Sequence, residues 1–244
     1  MVSGVLAGAG YYMGTSPLAV NFRPPAERET NPKGNFEDRE INAINEALLA
    51  PHFRRPPPTR LLRRRYERRH LGPRLRWASA LPVGVKIEST PEIDQRIATQ
   101  VGHRPFCFKD PRFCYTLPAW RPHLEETAFV CVFREPGRTA TSIVTEWDRH
   151  PARSFPMTYQ RALDAWRAMY ANVLDVHRHV GDWTFVHYEQ VLDGSAIPRL
   201  EDALEATVDR DFPEAALKRS ADAEHIGEED ARIYERLCRL AGIG

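Results

Sequence analysis

The sequence predicts an α/β fold of three layers, a central parallel sheet flanked by helices, and three observations lead there. Strand-length apolar runs alternate along the 244 residues with segments whose apolar positions recur at helical spacing. One run, Phe129 to Phe133, stops abruptly at Arg134, and Glu135, Pro136 and Gly137 then lead into the small-residue helix start Thr139 to Ser142. A glycine-rich turn from Gly8 to Gly14 follows the first apolar run. Strands joined through helices pair in parallel by right-handed crossovers. With 42% hydrophobic residues, the chain is long enough to bury such a core as a single domain over 1–244.

In chain order, Val2 to Ala7 reads as a first buried strand, with the turn Gly8 to Met13 after it and a helix beginning near Gly14, Thr15 and Ser16. Residues 31–37 form a loop, and Glu37 or Asp38 opens an amphipathic helix through Ile41, Ile44, Leu48 and Leu49. Pro56-Pro57-Pro58 and Gly72-Pro73 bracket an arginine-rich helical pattern, so residues 51–80 read as an insertion or lid. Val83 to Ile87 is a short strand or a connecting segment. Phe106 to Lys109 is a strand cut off by Asp110-Pro111, and Leu117, Trp120 and Leu124 belong to a helix or loop that leads to the Phe129 strand. Leu163, Trp166, Met169, Tyr170, Val173 and Val176 mark a helix between Tyr159 and Val180. Trp183 to Glu189 is the last strand, and helices lie around Ile197 to Leu204 and Glu228 to Leu240.

Charge is unevenly spread. Between His52 and Trp77 lie ten arginines against Glu67 alone, although the net charge of the whole chain is only +1. The four cysteines are scattered without a CxxC pair, which reads as reduced thiols in a cytoplasmic protein. The first 19 residues lack a basic leading region and are broken by Gly4, Gly8, Gly10 and Gly14, so they read as neither a signal peptide nor a membrane span.

Arg134 and Ser142 sit eight residues apart, one at a strand end and the other on the first turns of the next helix. A planar guanidinium, a hydroxyl and a helix N-terminus in that arrangement can converge on one phosphate at the carboxyl edge of a parallel strand. The alternative is a strand-end arginine that pairs on the surface. The glycine turn presents backbone N–H groups, and Thr15 and Ser16 add hydroxyls, an arrangement suited to an anion. It is not a Walker A loop, since no lysine follows Gly14 and Ala9 stands where the first glycine belongs.

Together these motifs resemble the sulfotransferases that use 3′-phosphoadenosine-5′-phosphosulfate (PAPS). Arg134, Pro136 and Ser142 match the family's 3′-phosphate motif, and Gly14-Thr15-Ser16 the end of its 5′-phosphosulfate loop. Asn31 to Glu37, Lys109 to Arg112 and Tyr188-Glu189 look like segments of bacterial members, in the same order. The resemblance implies the P-loop-like sulfotransferase architecture. Gly10, Tyr11, Tyr12, Met13, Gly14, Thr15 and Ser16 would then cradle the phosphosulfate, Arg134 and Ser142 would hold the 3′-phosphate, Tyr188 would belong to the cofactor site, and Arg219 would belong to a late basic loop. It also implies Glu37 as the base that takes the acceptor's proton; a helix cap is the competing role for Glu37 or Asp38.

Tyr12 departs from the family, many members of which carry Lys or Arg there. A phenol brings no positive charge to the bridging oxygen of a breaking phosphosulfate anhydride, so another cation is needed. Lys109, at a strand end beside Asp110-Pro111, is the first candidate and Lys33 the reserve. The expected reaction moves a sulfuryl group to a hydroxyl or amine of a small molecule or glycoconjugate. PAPS is the co-substrate, and no metal is expected because no histidine pair has zinc-ligand spacing. Two rivals stand beside this reading: a nucleotide-binding protein of the same fold that has lost transfer, and a P-loop-like kinase. The arginine-rich stretch binds an acidic acceptor, contacts nucleic acid, or is simply solvated; the near absence of interleaved aromatics makes nucleic acid the weakest of the three.

Overall fold

The computed structural model describes residues 2–14, 36–55, 57–73, 75–150, 154–212 and 225–243. Helices dominate, and a small parallel sheet lies among them. The first element is α1 (Val2–Gly8), a helix where the sequence predicts a strand. Val2, Val5 and Leu6 follow the i, i+3, i+4 spacing of a helix face, and all three are buried in one apolar cluster. Gly4 and Gly8 let the chain at 209–212 lie against this helix: a Cβ on Gly4 would fall 2.1 Å from the Phe212 ring, and one on Gly8 2.6 Å from the Asp209 carboxylate.

The next helix, α2 (Arg39–Leu49), starts where expected because the Asp38 carboxylate accepts the amides of Glu40 and Ile41 at 2.8 and 3.0 Å. Ile41, Ile44, Leu48 and Leu49 are almost wholly buried, each burial contributing up to about 1.5–3 kcal/mol. Beyond it come α3 (Arg60–Glu67) in the arginine-rich stretch, α4 (Pro91–Val101) and α5 (Phe113–Trp120). Val83 to Ile87 holds no strand. Gly84 turns there with φ +73°, and the Val85 amide donates to the Pro82 carbonyl.

Strand β1 (Phe129–Phe133) leads into α6 (Pro136–Asp148), followed by α7 (Tyr159–Asn172), which runs on through a π turn at Val173–His177. Then come β2 (Trp183–His187), α8 (Tyr188–Leu192), α9 (Ile197–Leu204) and α10 (Glu228–Leu240). The two strands pair in parallel, Phe129 opposite Trp183 and Phe133 opposite His187. Among the described residues two strands make the sheet, which is smaller than the sequence predicts. The Phe106 to Lys109 run contributes one isolated parallel bridge, Tyr12 to Phe106, in which the Tyr12 amide donates to the Pro105 carbonyl at 2.8 Å and the Cys107 amide to the Tyr12 carbonyl at 2.9 Å.

Alternation still organises the interior. Phe129, Cys131, Phe133, Trp183, Phe185, Phe106 and Phe108 join one apolar cluster with α2, α4, α5 and α7, whereas Val130, Val132, Val186 and Cys107 join another with α1, α8 and α9. A third cluster packs Leu71 and Ala78 of the arginine-rich stretch against Ala140, Trp147 and Leu163 of α6 and α7. Among the described residues, no helix is long and apolar enough to cross a membrane.

Candidate functional site

At the carboxyl edge of β1 the structure opens a cleft of about 250 Å³, lined by Val132, Phe133, Arg134, Thr139, Ser142, Ile143, Tyr170 and Tyr188. Three of the residues singled out in the sequence, Arg134, Ser142 and Tyr188, therefore meet on one surface. They do so because the parallel register sets the end of β1 beside the end of β2, placing Arg134 and Tyr188 one residue past paired positions. The Arg134 guanidinium lies over the Tyr188 ring at 5.4 Å, and the Trp166 indole N–H donates to the Arg134 carbonyl at 3.3 Å. Ser142 is exposed, and among the described residues neither its hydroxyl nor that of Tyr188 has a hydrogen-bond partner. The Tyr170 hydroxyl donates to the Val132 carbonyl at 2.9 Å and stiffens the cleft floor.

One donor set expected here is already occupied. The Glu135 carboxylate accepts the Gly137 and Arg138 amides at 2.8 and 2.6 Å, and the Thr139 hydroxyl donates to the Glu135 carbonyl. The N-terminus of α6 is thus capped by its own flanking carboxylate. An anion in the cleft would rely on Arg134 and side-chain hydroxyls instead.

A second cluster forms where α2 begins. The Glu37 carboxylate takes the Lys109 ammonium at 2.5 Å and the Asn42 amide at 3.2 Å. Burial pushes the Glu37 carboxyl up, but the Lys109 charge and the hydrogen bonds from Lys109 and Asn42 more than reverse this, holding it below the ordinary carboxylate value. Asp38 is the helix cap and Glu37 pairs with Lys109, so the capping role weighed for either residue falls to Asp38. Phe36, just before them, has φ +52° and packs edge-on against Phe212 at 5.4 Å. Asn42 was not read from sequence, although its place one turn into a helix opened by a candidate base was a usable signal.

Lys109 is placed by a buried polar network. Asp110 accepts the Asn45 amide and the Arg112 amide and guanidinium, each at 2.9 Å, and Asn45 in turn accepts the Thr116 hydroxyl and Trp120 indole at 2.8 Å. Arg112 also reaches Glu46 at 2.9 Å, which joins α2 to the chain leaving Lys109. Such a network is worth little against water but is costly to break, about 3–5 kcal/mol for an orphaned buried charge.

The glycine turn is only partly in view. Thr15 and Ser16, Lys33, and Arg219 lie outside the described residues. Gly14, with φ +115°, approaches so closely that a Cβ there would fall 2.2 Å from the Asp38 carboxyl carbon. The turn thereby reaches the helix start that carries Glu37. We expect Gly14→Ala to destabilise the fold by more than about 2 kcal/mol in denaturant titration, as the added methyl meets Asp38 in a conformation L residues resist. Gly10, at φ +87°, is open on its Cβ side. Tyr11 packs into the cluster around α1, and Met13 is half-buried. Tyr12 hydrogen-bonds Gln100 of α4 at 3.1 Å and packs its ring on His103 at 4.4 Å.

The Glu37–Lys109 pair makes stability depend on pH. A carboxyl held below its unfolded value contributes stability above that value, near pH 4.3, and loses it as pH falls through the depressed folded value. Wild type is therefore expected to be more stable than Glu37→Gln at neutral pH, with the gap closing on acidification below about pH 5. A gap that stays constant down to acid-induced unfolding would show that the pair is not ionised.

No family model matches the chain, and neither the curated proteins nor the solved structures contain a match.

Proposed function

We propose that this protein binds 3′-phosphoadenosine-5′-phosphosulfate and transfers its sulfuryl group to an acceptor hydroxyl or amine. The observation that carries the reading is the single cleft shared by Arg134, Ser142 and Tyr188 at the carboxyl edge of β1. It offers a fixed cation, two hydroxyls without a partner among the described residues and an aromatic face, a set suited to the 3′-phosphate end of the donor. The larger three-layer sheet of P-loop-like sulfotransferases belongs to the same reading. The division of strand side chains between two apolar clusters supports it.

The chemistry needs in-line positioning, charge neutralisation and a base. Lys109 neutralises the leaving phosphate, and Glu37 receives the acceptor's proton. Each holds the other in check before the donor arrives: the ion pair lowers the basicity of Glu37 and occupies Lys109. A phosphosulfate drawn to Lys109 weakens that pair, and the burial already acting on Glu37 then raises its proton affinity. In this scheme Glu37 becomes a competent base only when the donor is bound.

One observation favours a second reading, a nucleotide-binding protein of the same fold without turnover. Tyr12 stands at a position where a cation is common in the family, and its hydroxyl is engaged by Gln100. Transfer of labelled sulfate from the donor across a panel of hydroxyl and amine acceptors separates the two. Product with any acceptor supports the enzyme, whereas donor binding without product across the panel supports the binding protein.

A further inference from the structure

The arginine-rich stretch is neither loose nor self-neutralised. The Tyr66 hydroxyl donates to the Arg54 carbonyl, closing the stretch on itself, and the Tyr66 ring packs on His70 at 4.7 Å. Leu71 and Ala78 enter the core, and buried Arg76 stacks on Phe53 at 5.0 Å while pairing with Glu46 of α2 at 3.3 Å. On this anchored base Arg54, Arg55, Arg65, Arg68 and Arg69 are exposed, and among the described residues no carboxylate pairs with any of them. The only acidic residue of the stretch, Glu67, is taken by Arg63 at 3.1 Å. Cations held close together without counter-charges repel one another, and a multivalent anion relieves that repulsion.

The surroundings select the kind of anion. The three aromatic residues of the stretch face inward: Phe53 lies under Arg76, Tyr66 is buried, and Trp77 packs towards Trp147 at 6.1 Å. No flat ring is left on which the bases of a single strand could stack. Leu62 is the one large exposed apolar side chain described there, too little to seat the stretch in a lipid interface. Guanidinium groups grip carboxylate, sulfate and phosphate bidentately; with no base-stacking ring beside them, the carboxylates and sulfates of a polysaccharide, which also carries hydroxyls and amines, are favoured over a nucleic-acid phosphate. The stretch is tied to the candidate site through α2: buried Arg76 holds Glu46 near the end of that helix, and Glu37 lies at its start, with 11 residues spanning about 16 Å. Arg39, exposed on the first turn of α2 and without a partner among the described residues, adds a cation near Glu37.

We infer that the exposed arginines of 54–69 bind a carboxylated or sulfated polysaccharide and that this polymer is the acceptor class of the Glu37 site. The second half of that statement rests on the sulfuryl-transfer reading; the first does not. The probe is heparin, with neutral dextran and an oligothymidylate of matched charge as comparators, titrated against the full chain at about 0.15 M salt, where isolated surface charges are largely screened. The expected result is heparin binding that exceeds both comparators. It should weaken at least about tenfold when Arg54, Arg55, Arg65, Arg68 and Arg69 are all replaced by Gln, and weaken less when they are replaced by Lys, which keeps the charge and loses the bidentate grip. Binding of 3′-phosphoadenosine-5′-phosphate by the Gln variant should match wild type, which also reports that it has folded. In the transfer assay the Gln variant should raise KM for a polymeric acceptor and leave kcat unchanged. Equal heparin affinity in wild type and the Gln variant, or oligothymidylate bound as tightly as heparin, overturns the inference. Should the Gln variant fail to fold, the pair Arg65→Glu and Arg68→Glu reads the same loss. Failure of wild type to bind the bisphosphate is a separate result that removes the donor site and leaves the heparin titration to stand on its own.

Discussion

Replacing Arg134 by alanine is expected to weaken binding of 3′-phosphoadenosine-5′-phosphate by roughly 100-fold, equivalent to about 2.7 kcal/mol. The magnitude follows from what Arg134 offers the cleft. Two parallel N–H donors from a fixed cation are about twice as strong as neutral hydrogen bonds, and the capped helix behind Glu135 leaves no spare amides to replace them. The effect should concentrate on the 3′-phosphate: ADP, which lacks that group, should lose far less. Ser142→Ala removes one neutral donor and should cost only about 1 kcal/mol. A structural role predicts a different pattern. An arginine that merely stacks on Tyr188 would alter thermal stability when removed and leave the bisphosphate affinity unchanged.

Glu37→Gln should lower turnover by about 10²- to 10⁴-fold, the range for losing a positioned base. Glutamine keeps the shape and can still meet Asn42, so the start of α2 under the Asp38 cap should remain folded. Bisphosphate affinity should hold or rise, because Lys109 loses its competing carboxylate. This opposition between catalysis and binding distinguishes a base from a residue that only supports the fold. An unchanged rate would remove Glu37 from the reaction. Lys109→Met should reduce turnover as well, but with weaker donor binding, since the ammonium is the charge that Tyr12 cannot supply.

Much of this arrangement was legible because its signals are local. The run Phe129 to Phe133 with Arg134 and Pro136 behind it specifies a strand end, and Asp38 before Ile41 and Ile44 specifies a capped helix. Glu228 to Leu240 and Ile197 to Leu204 were readable from helical spacing. The failures lie where distant residues decide. Val2 to Ala7 has the short apolar length of a strand, yet Phe212 and Asp209 cover it as a helix. The helix over Pro91–Val101 went unread despite its Thr90 cap and the Ile93, Ile97, Val101 spacing, a signal that was present. In the site, residue type and spacing brought out Arg134 and Ser142. The contact between Glu37 and Lys109 spans 72 positions and depends on how Asn45, Asp110, Arg112 and Glu46 lock two segments together, which no local pattern encodes.

The donor site is most directly examined by calorimetric titration of the wild-type chain with 3′-phosphoadenosine-5′-phosphate in parallel with ADP and ATP. Saturable binding of the bisphosphate, at least about tenfold tighter than either comparator, is the expected result. Absence of bisphosphate binding, or a preference for ATP, would contradict the assignment of the Arg134, Ser142 and Tyr188 cleft and the sulfuryl-transfer reading with it.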